Sequence, residues 1–302
     1  YKELAYLYKN LKIYYGSIED EMFVKTIFDE NKIDAVIHCA AIKYIDICEE
    51  NMNECIKVNI TGTYNTVIGN GAGGNLTGSY TVLIGSGAGA QSIDEGLLAI
   101  GADAGSQLTS GDNGNTIIGN YAGREAAGGD YLTIVGREAG RKMGIGGDVR
   151  NNTAIGAYAL CLSNAASELT AVGAFAGRNN TTGGKLTAVG DSALYSNTTG
   201  SANTAIGQNS MYSNKTGHSN VSVGACSFRC NTIGNSNVVV GTCALYNNST
   251  GIDNTAVGHR TMHNNLGGYR NTVLGRDAGF IITTGINNTV LGYDSQPSSA
   301  TV

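Results

Sequence analysis

From Gly69 onward one glycine returns at a nearly fixed interval, and no other feature of the chain limits its fold so tightly. Gly69, Gly85, Gly101, Gly119, Gly136, Gly156, Gly173, Gly190, Gly207, Gly224, Gly241, Gly258, Gly275 and Gly292 are separated by 16, 16, 18, 17 and 20 residues and then by 17 eight times over. A strict period of this length marks a solenoid, in which each repeat is a rung that buries its apolar face by stacking on the next. The repeat is too short for a propeller blade or a helical pair, and the segment is too rich in β-branched residues and glycine to be helical.

The rung itself is legible in NTAIGQNSMYSNKTGHS, residues 203–219. The residue before the glycine is always Ile, Val or Leu, as in Ile155, Val172, Val189 and Ile206, and Thr stands three before it in ten of fourteen copies. Three after it comes Ala in ten copies, otherwise Ser or Thr. This pattern predicts a short strand, a glycine corner, a second short segment and a polar Asn/Thr/Gly turn. Glycine at the corner implies a positive φ or an approach too close for a Cβ.

The expected architecture is mainly β: a parallel β-solenoid, or β-roll, of about fourteen 17-residue rungs. In-register stacking at about 4.8 Å per rung gives a rod of roughly 65 Å. Val and Ile are expected to fill the lumen, with Asn stacked on Asn at the turns. Alternation places Val/Ile and Thr on one strand face, and Ala, Val or Ile with Asn or Leu on the other. Both faces are partly apolar, so the small Ala-rich face is expected to pack against another chain.

Composition divides the chain at residue 62. Residues 1–62 hold 18 of the 43 charged residues and only 2 of the 44 glycines, leaving 25 charges and 42 glycines for 63–302. The net charge of −5 offers no basic surplus for nucleic acid, and no apolar run is long enough to span a bilayer. Seven cysteines without framework spacing fit a reducing compartment or a thiol-tolerant exterior better than a disulfide scaffold.

Residues 1–62 read coarsely as β-α-β-α, with DAVIHCAA (34–41) as a buried strand and helical spacing after Ile45. GSIED and DAVIHCAAIKYIDICEENMNECIKVNITGTYN resemble extended short-chain dehydrogenases, the nucleotide-sugar epimerases and 4,6-dehydratases in particular, over residues 12–66. The resemblance implies a partial Rossmann unit with His38, Ala40, Ala41 and Lys43 near an NAD cofactor. It also implies an acidic residue near the adenine, where this chain has Ser17. The Gly-rich phosphate turn has no upstream room, and no Tyr-x-x-x-Lys pair follows. Function lives in an assembled site, so no catalysis and no bound cofactor are expected, and the fragment reads as a cap or attachment module.

Residues 63–296 resemble the NTAIG-type arrays of phage and large-virus fibres, and more distantly the left-handed β-roll heads of trimeric autotransporter adhesins. The resemblance implies a homotrimeric fibre or adhesin shaft on a virion or an extracellular surface, held by an anchor protein and able to meet a host surface glycan. QPSSATV at 296–302 is no convincing cap, so a following domain, a partner or end-to-end stacking into a filament is expected.

Several side chains invite chemistry, and each has a plainer reading. Cys226 and Cys243 are one period apart, close enough for a disulfide, but stacked parallel side chains favour free thiols. Cys230 completes no zinc set, and no metal is expected. His259 and His263 read as turn residues. Sequons at Asn180, Asn197, Asn214 and Asn248 arise automatically from repetition of an Asn/Thr turn. The Thr ladder could order ice or sugars, but burial beside Val and Ile is its expected fate.

Overall fold

The computed structural model describes residues 64–301, apart from 94, 109–113, 146 and 148. The β-α-β-α reading and His38, Ala40, Ala41 and Lys43 lie outside the described residues. Fourteen strands follow one another: β1 (Thr66–Ile68), β2 (Val82–Ile84), β3 (Leu98–Ile100), β4 (Thr116–Ile118), β5 (Thr133–Val135), β6 (Thr153–Ile155), β7 (Leu169–Val172), β8 (Leu186–Val189), β9 (Thr204–Ile206), β10 (Val221–Val223), β11 (Val238–Val240), β12 (Thr255–Val257), β13 (Thr272–Leu274) and β14 (Thr289–Leu291). They form one parallel sheet in sequence order, a β-solenoid with one strand per rung. Register follows the repeat, with Thr187 beside Thr204, Ala188 beside Ala205 and Val189 beside Ile206.

Glycine holds the corner for a steric reason. At Gly173 φ is +138°, and an added Cβ would lie 2.5 Å from the Gly190 carbonyl oxygen of the next rung. The corner therefore needs both the conformational freedom and the missing side chain. After it the chain takes left-handed conformations that the sequence does not advertise with glycine, as at Ser192 (φ 55°) and Leu194 (φ 52°). Each such residue costs about 1 kcal/mol or more, offset here by backbone bonds to the neighbouring rung. Ser192 N donates to Ala174 O at 2.9 Å and Leu194 N to Ser210 O at 3.0 Å.

The interior reverses the expected orientation of the strand. Ala154, Ala171, Ala188 and Ala205, two before the corner, are buried, whereas Ile155 and Ile206, one before it, are exposed, and Val172 and Val189 are half-buried. The Val and Ile one before the corner therefore do not fill the lumen; those that do enter it, such as Ile117, Ile134, Val239 and Val273, stand two before the corner. A 17-residue rung encloses too little width for a β-branched side chain from every strand as well as a large one from the opposite wall, and it fills its core by exchange between the two. Rungs with a large strand residue have glycine four after the corner: Leu83 with Gly89, Ile117 with Gly123, Ile134 with Gly140. Most rungs with a small strand residue have Leu, Met or Phe there, as Ala188 with Leu194, Ala205 with Met211 and Ser222 with Phe228, while Ala99 with Gly105, Ala171 with Gly177 and Val239 with Leu245 depart from the exchange. A Cβ on Gly140 would stand 2.8 Å from Ile134 Cδ1, which shows how completely the exchange uses the space.

Asn stacks on Asn inside the rungs, in two buried ladders. Asn180, Asn197, Asn214, Asn231, Asn248 and Asn265 sit seven after successive corners. From Asn197 onward each side-chain amide donates to the amide oxygen of the preceding rung, at 2.8 Å for Asn197 to Asn180 and 2.7 Å for Asn214 to Asn197. The second proton goes to the glycine carbonyl that closes the same turn, as from Asn214 to Gly217 at 3.0 Å. The second ladder, from Asn203 to Asn288, repeats the device on the strand side, with Asn220 Nδ2 3.1 Å from Asn203 Oδ1 and 2.8 Å from Gly234 O. A buried amide left unpaired would cost about 1–3 kcal/mol, so the ladders keep a polar interior viable.

Candidate functional surface

Alternation follows from the interior: with Ala and Asn facing in, the residues one and three before each corner face out. This outward stripe contains ten Thr and eighteen Ile, Val or Leu over fourteen rungs, and no charged residue. Ile68, Ile155, Ile206, Val221, Val238, Val240, Leu274 and Leu291 on it are exposed. Polar rims border it, with Glu168, Lys185, Asp253 and Arg270 on one side and Arg137, Asp191 and Arg276 on the other, all exposed. The Thr ladder is thus at the surface and not buried. The apolar face available to a partner is this one, and not the Ala-rich face, which the core consumes.

A second ladder runs five residues after the corner, and periodicity alone did not reveal it because its residue types vary. Arg178, Tyr195, Tyr212, Arg229, Tyr246, His263 and Phe280 occupy seven consecutive rungs, all half-buried. Tyr195 and Tyr212 stack at 5.0 Å, Tyr246 and His263 at 5.1 Å, and His263 and Phe280 at 5.5 Å between ring centroids. Arg178 lies 5.8 Å from the Tyr195 centroid, and Arg229 lies 5.2 Å from that of Tyr212 and 5.8 Å from that of Tyr246. Ring faces are spent on one another and on guanidinium groups, leaving edges and hydroxyls outward. The ladder staples rungs and offers no open ring face for a sugar to stack on.

The charges concentrate in the earlier rungs. Arg141 Nε donates to Glu125 at 2.8 Å, Arg124 lies 3.8 Å from Asp103, and Lys142 lies 3.9 Å from Glu125. The hydrogen bond from Arg141 to Glu125 raises the arginine's pKa further. Gln107, Arg124, Glu125 and Arg141 line an open cleft of about 520 Å³, in which each charged group has a partner of opposite sign.

Among the described residues no three His, Cys, Asp or Glu side chains are placed to hold a metal ion. Cys226, Cys230, Cys243 and Cys161 are free thiols, with Cys226 and Cys243 on adjacent rungs. Burial, and then the neighbouring Cys226, push the Cys243 thiol up. His259 and His263 both lie in turns, His259 exposed and His263 within the ring stack. The sequon residues Asn180, Asn197, Asn214 and Asn248 are buried with both ends of their amides bonded, so a glycan on any of them is incompatible with the ladder.

No helix among the described residues is long and apolar enough to cross a membrane. The tail continues the winding on the turn side: Gln296 Nε2 donates to Asp277 O at 2.8 Å and Thr283 N to Ala300 O at 2.9 Å. Beside β14 nothing comparable lies among the described residues, and Leu291 and Tyr293 there are 74% and 71% exposed.

Comparison with known proteins touches the other end of the chain. A family model described as polysaccharide biosynthesis protein matches residues 2–72. An uncharacterized membrane protein of Methanocaldococcus jannaschii is 32% identical over 59 residues, which are 20% of this chain and 17% of that protein. The chain therefore spans under a fifth of that relative's length. No solved structure matches. The family match overlaps the dehydrogenase-like stretch and ends at the first rung.

Proposed function

We propose that the protein is structural: a rigid shaft segment of a fibre or adhesin, assembling with copies of itself as a homotrimer and able to stack end to end. One observation carries this reading. Fourteen strands form a single in-register sheet whose interior is occupied by packing and amide ladders, leaving function to its outer faces and its ends. Repetition of this kind yields length and stiffness, which suits a shaft. A virion, tail fibre or cell surface is the setting we assign to it, with an anchor protein at one end and a surface glycan as the ligand of the complete fibre. No catalytic role is assigned to the chain. Negative-stain micrographs of the purified protein, with sedimentation velocity, test the reading. Rods with a trimer mass are expected, and a compact monomer at all concentrations overturns it.

The match to a polysaccharide biosynthesis family over residues 2–72 favours a second reading, in which the N-terminal portion binds NAD or a nucleotide sugar. A ligand that binds the native state raises its melting temperature. Thermal-shift titration with NAD and UDP-sugars therefore decides it, and an unchanged melting temperature at saturating ligand removes it.

A further inference from the structure

The outward Thr/Ile/Val stripe is the largest feature of the molecule that neither the interior nor a ligand pocket accounts for. It is flat, because it is one face of an in-register parallel sheet, so it offers no cavity for a small molecule. It is uncharged through fourteen rungs, although both rims carry charges of both signs. Solvent-facing strands in a monomer are ordinarily polar, and an unbroken apolar strip bordered by charges marks an interface.

We propose that this stripe is buried against other copies of the same chain, laid alongside so that rung meets rung. The inference rests on the self-associating reading above and names the face that does the associating. Three observations point to a second copy and not to another occupant. The stripe repeats every rung at about 4.8 Å, and a surface with the same rise is needed to mesh with it over its whole length. With no charge to satisfy, two such faces are mutually compatible without specific pairing, while the mixed rims meet at the margin. The size is also adequate: about 65 Å by about 10 Å gives ~650 Å² per copy and ~1,300 Å² for a pair, within the range of a stable specific interface. Thr hydroxyls at three before the corner can bond across the seam, so their presence does not spoil an otherwise apolar contact.

The test uses the full chain. Thr187 and Thr204 lie on the stripe in adjacent rungs, and Thr182 and Thr199 lie in adjacent turns away from it, exposed. The pair T187K/T204K is expected to weaken association by about a hundredfold or more, because like charges would be juxtaposed in a desolvated seam. T182K/T199K adds the same charge and is expected to sediment as the wild type. Far-UV circular dichroism checks that each variant is folded; should T187K/T204K fail to fold, the neutral I155T/I206T pair is expected to weaken association by about tenfold, through loss of apolar contact. Assembly of the stripe variants at wild-type strength overturns this inference and leaves self-association standing on another face. A monomeric wild type, including one that binds vesicles or glycans, overturns both.

Discussion

The first five rungs and the seventh to twelfth build the same sheet over two different interiors. In the early rungs the core is mostly hydrocarbon on both walls, with Leu83, Ile117 and Ile134 on strands and Leu76, Leu108 and Met143 in the turns, Ser92 being the polar exception on the turn wall. In the late rungs the turn wall is the amide ladder from Asn180 to Asn265. Interval regularity divides the chain in the same place: 16 to 20 residues between corners up to Gly156, and then 17 without exception. A hydrocarbon contact tolerates a shift of an ångström or an extra residue in the adjoining loop, whereas an amide hydrogen bond requires its partner at one fixed offset. The corner glycines thus maintain the sheet, and the strict period runs with the two Asn ladders, which together extend from Asn180 to Asn288.

The largest effect is expected where both regions agree, at the corner. A Cβ on Gly190 would lie 2.6 Å from the Gly207 carbonyl carbon at φ +130°, so neither rung can yield without breaking the strand pair. Gly190→Ala is expected to cost more than about 4 kcal/mol, or to prevent folding of the late rungs. Gly71→Ala is the contrast, since nothing lies within 4 Å of its added Cβ and only the left-handed φ of +65° is unfavourable. It is expected to cost about 1 kcal/mol. Urea unfolding of the two variants measures the difference, and equal costs would show that conformation and not the close approach selects glycine at the corner.

The amide ladder provides the next test. Asn214→Ala removes donors to Asn197 and Gly217 and the acceptor of Asn231, leaving buried polar atoms unpaired. About 2–4 kcal/mol of stability is expected to be lost. The reciprocal change, Leu108→Asn, places an amide between Ser92 and Ala126, where no neighbouring amide continues a stack. A loss of similar size is expected, and a neutral outcome would mean that the early rungs can accept a ladder they do not use.

Core exchange between walls offers a rescue. Ile134→Ala alone opens a cavity worth about 2–4 kcal/mol, and Gly140→Leu alone overpacks against Ile134. Together they convert this rung to the arrangement of Ala188 and Leu194, whose φ of 52° shows that leucine can take the required backbone. The double variant is expected within about 1.5 kcal/mol of the wild type, more stable than either single change. Additive losses in thermal unfolding would sink the idea that the two walls share one volume.

Much of this was readable in the repeat. The corner glycine, the rung length, the parallel stacking and the Asn ladders all follow from a 17-residue period, because equal positions must stack. Which strand face turns inward does not follow from the period. Ile206 and Ala205 are both apolar, and the choice depends on how much width the opposite wall leaves, a property of Met211 and Phe228 six residues beyond the strand residue they face. The ring and guanidinium ladder was hidden for another reason: Arg178, Tyr195, Arg229 and Phe280 share a position but not a residue type. Left-handed backbone at Ser192 and Leu194 carries no glycine to announce it. A partial signal for the inward face did exist, since Val67, Leu83, Ile117, Ile134 and Val273 are each followed six residues later by glycine, although Val239 is followed by Leu245 and Ala99 and Ala171 by glycine as well.

The smallest expected effect also separates the regions, through pH. Cys161 is buried at the junction between them, and burial raises its thiol above the ordinary value of 9.0, with nearby Arg178 working in the opposite direction. A raised folded pKa means that the native state holds the proton more tightly than the unfolded chain does. The associated stability is therefore complete below the ordinary thiol pKa and is lost as pH rises through the folded value. Cys243 in the late rungs shifts the same way, but it is partly exposed and next to Cys226, so solvent screens most of its effect. Urea unfolding at about pH 7.5 and about pH 10 is expected to show a smaller alkaline loss in Cys161→Ala than in the wild type, and a nearly unchanged loss in Cys243→Ser. Comparing variants cancels the tyrosine and lysine titrations common to all three proteins. If Cys243→Ser gave the larger change, the thiol pair on adjacent rungs would be coupled more strongly than burial at the junction, and the late rungs would be the alkali-sensitive part of the rod.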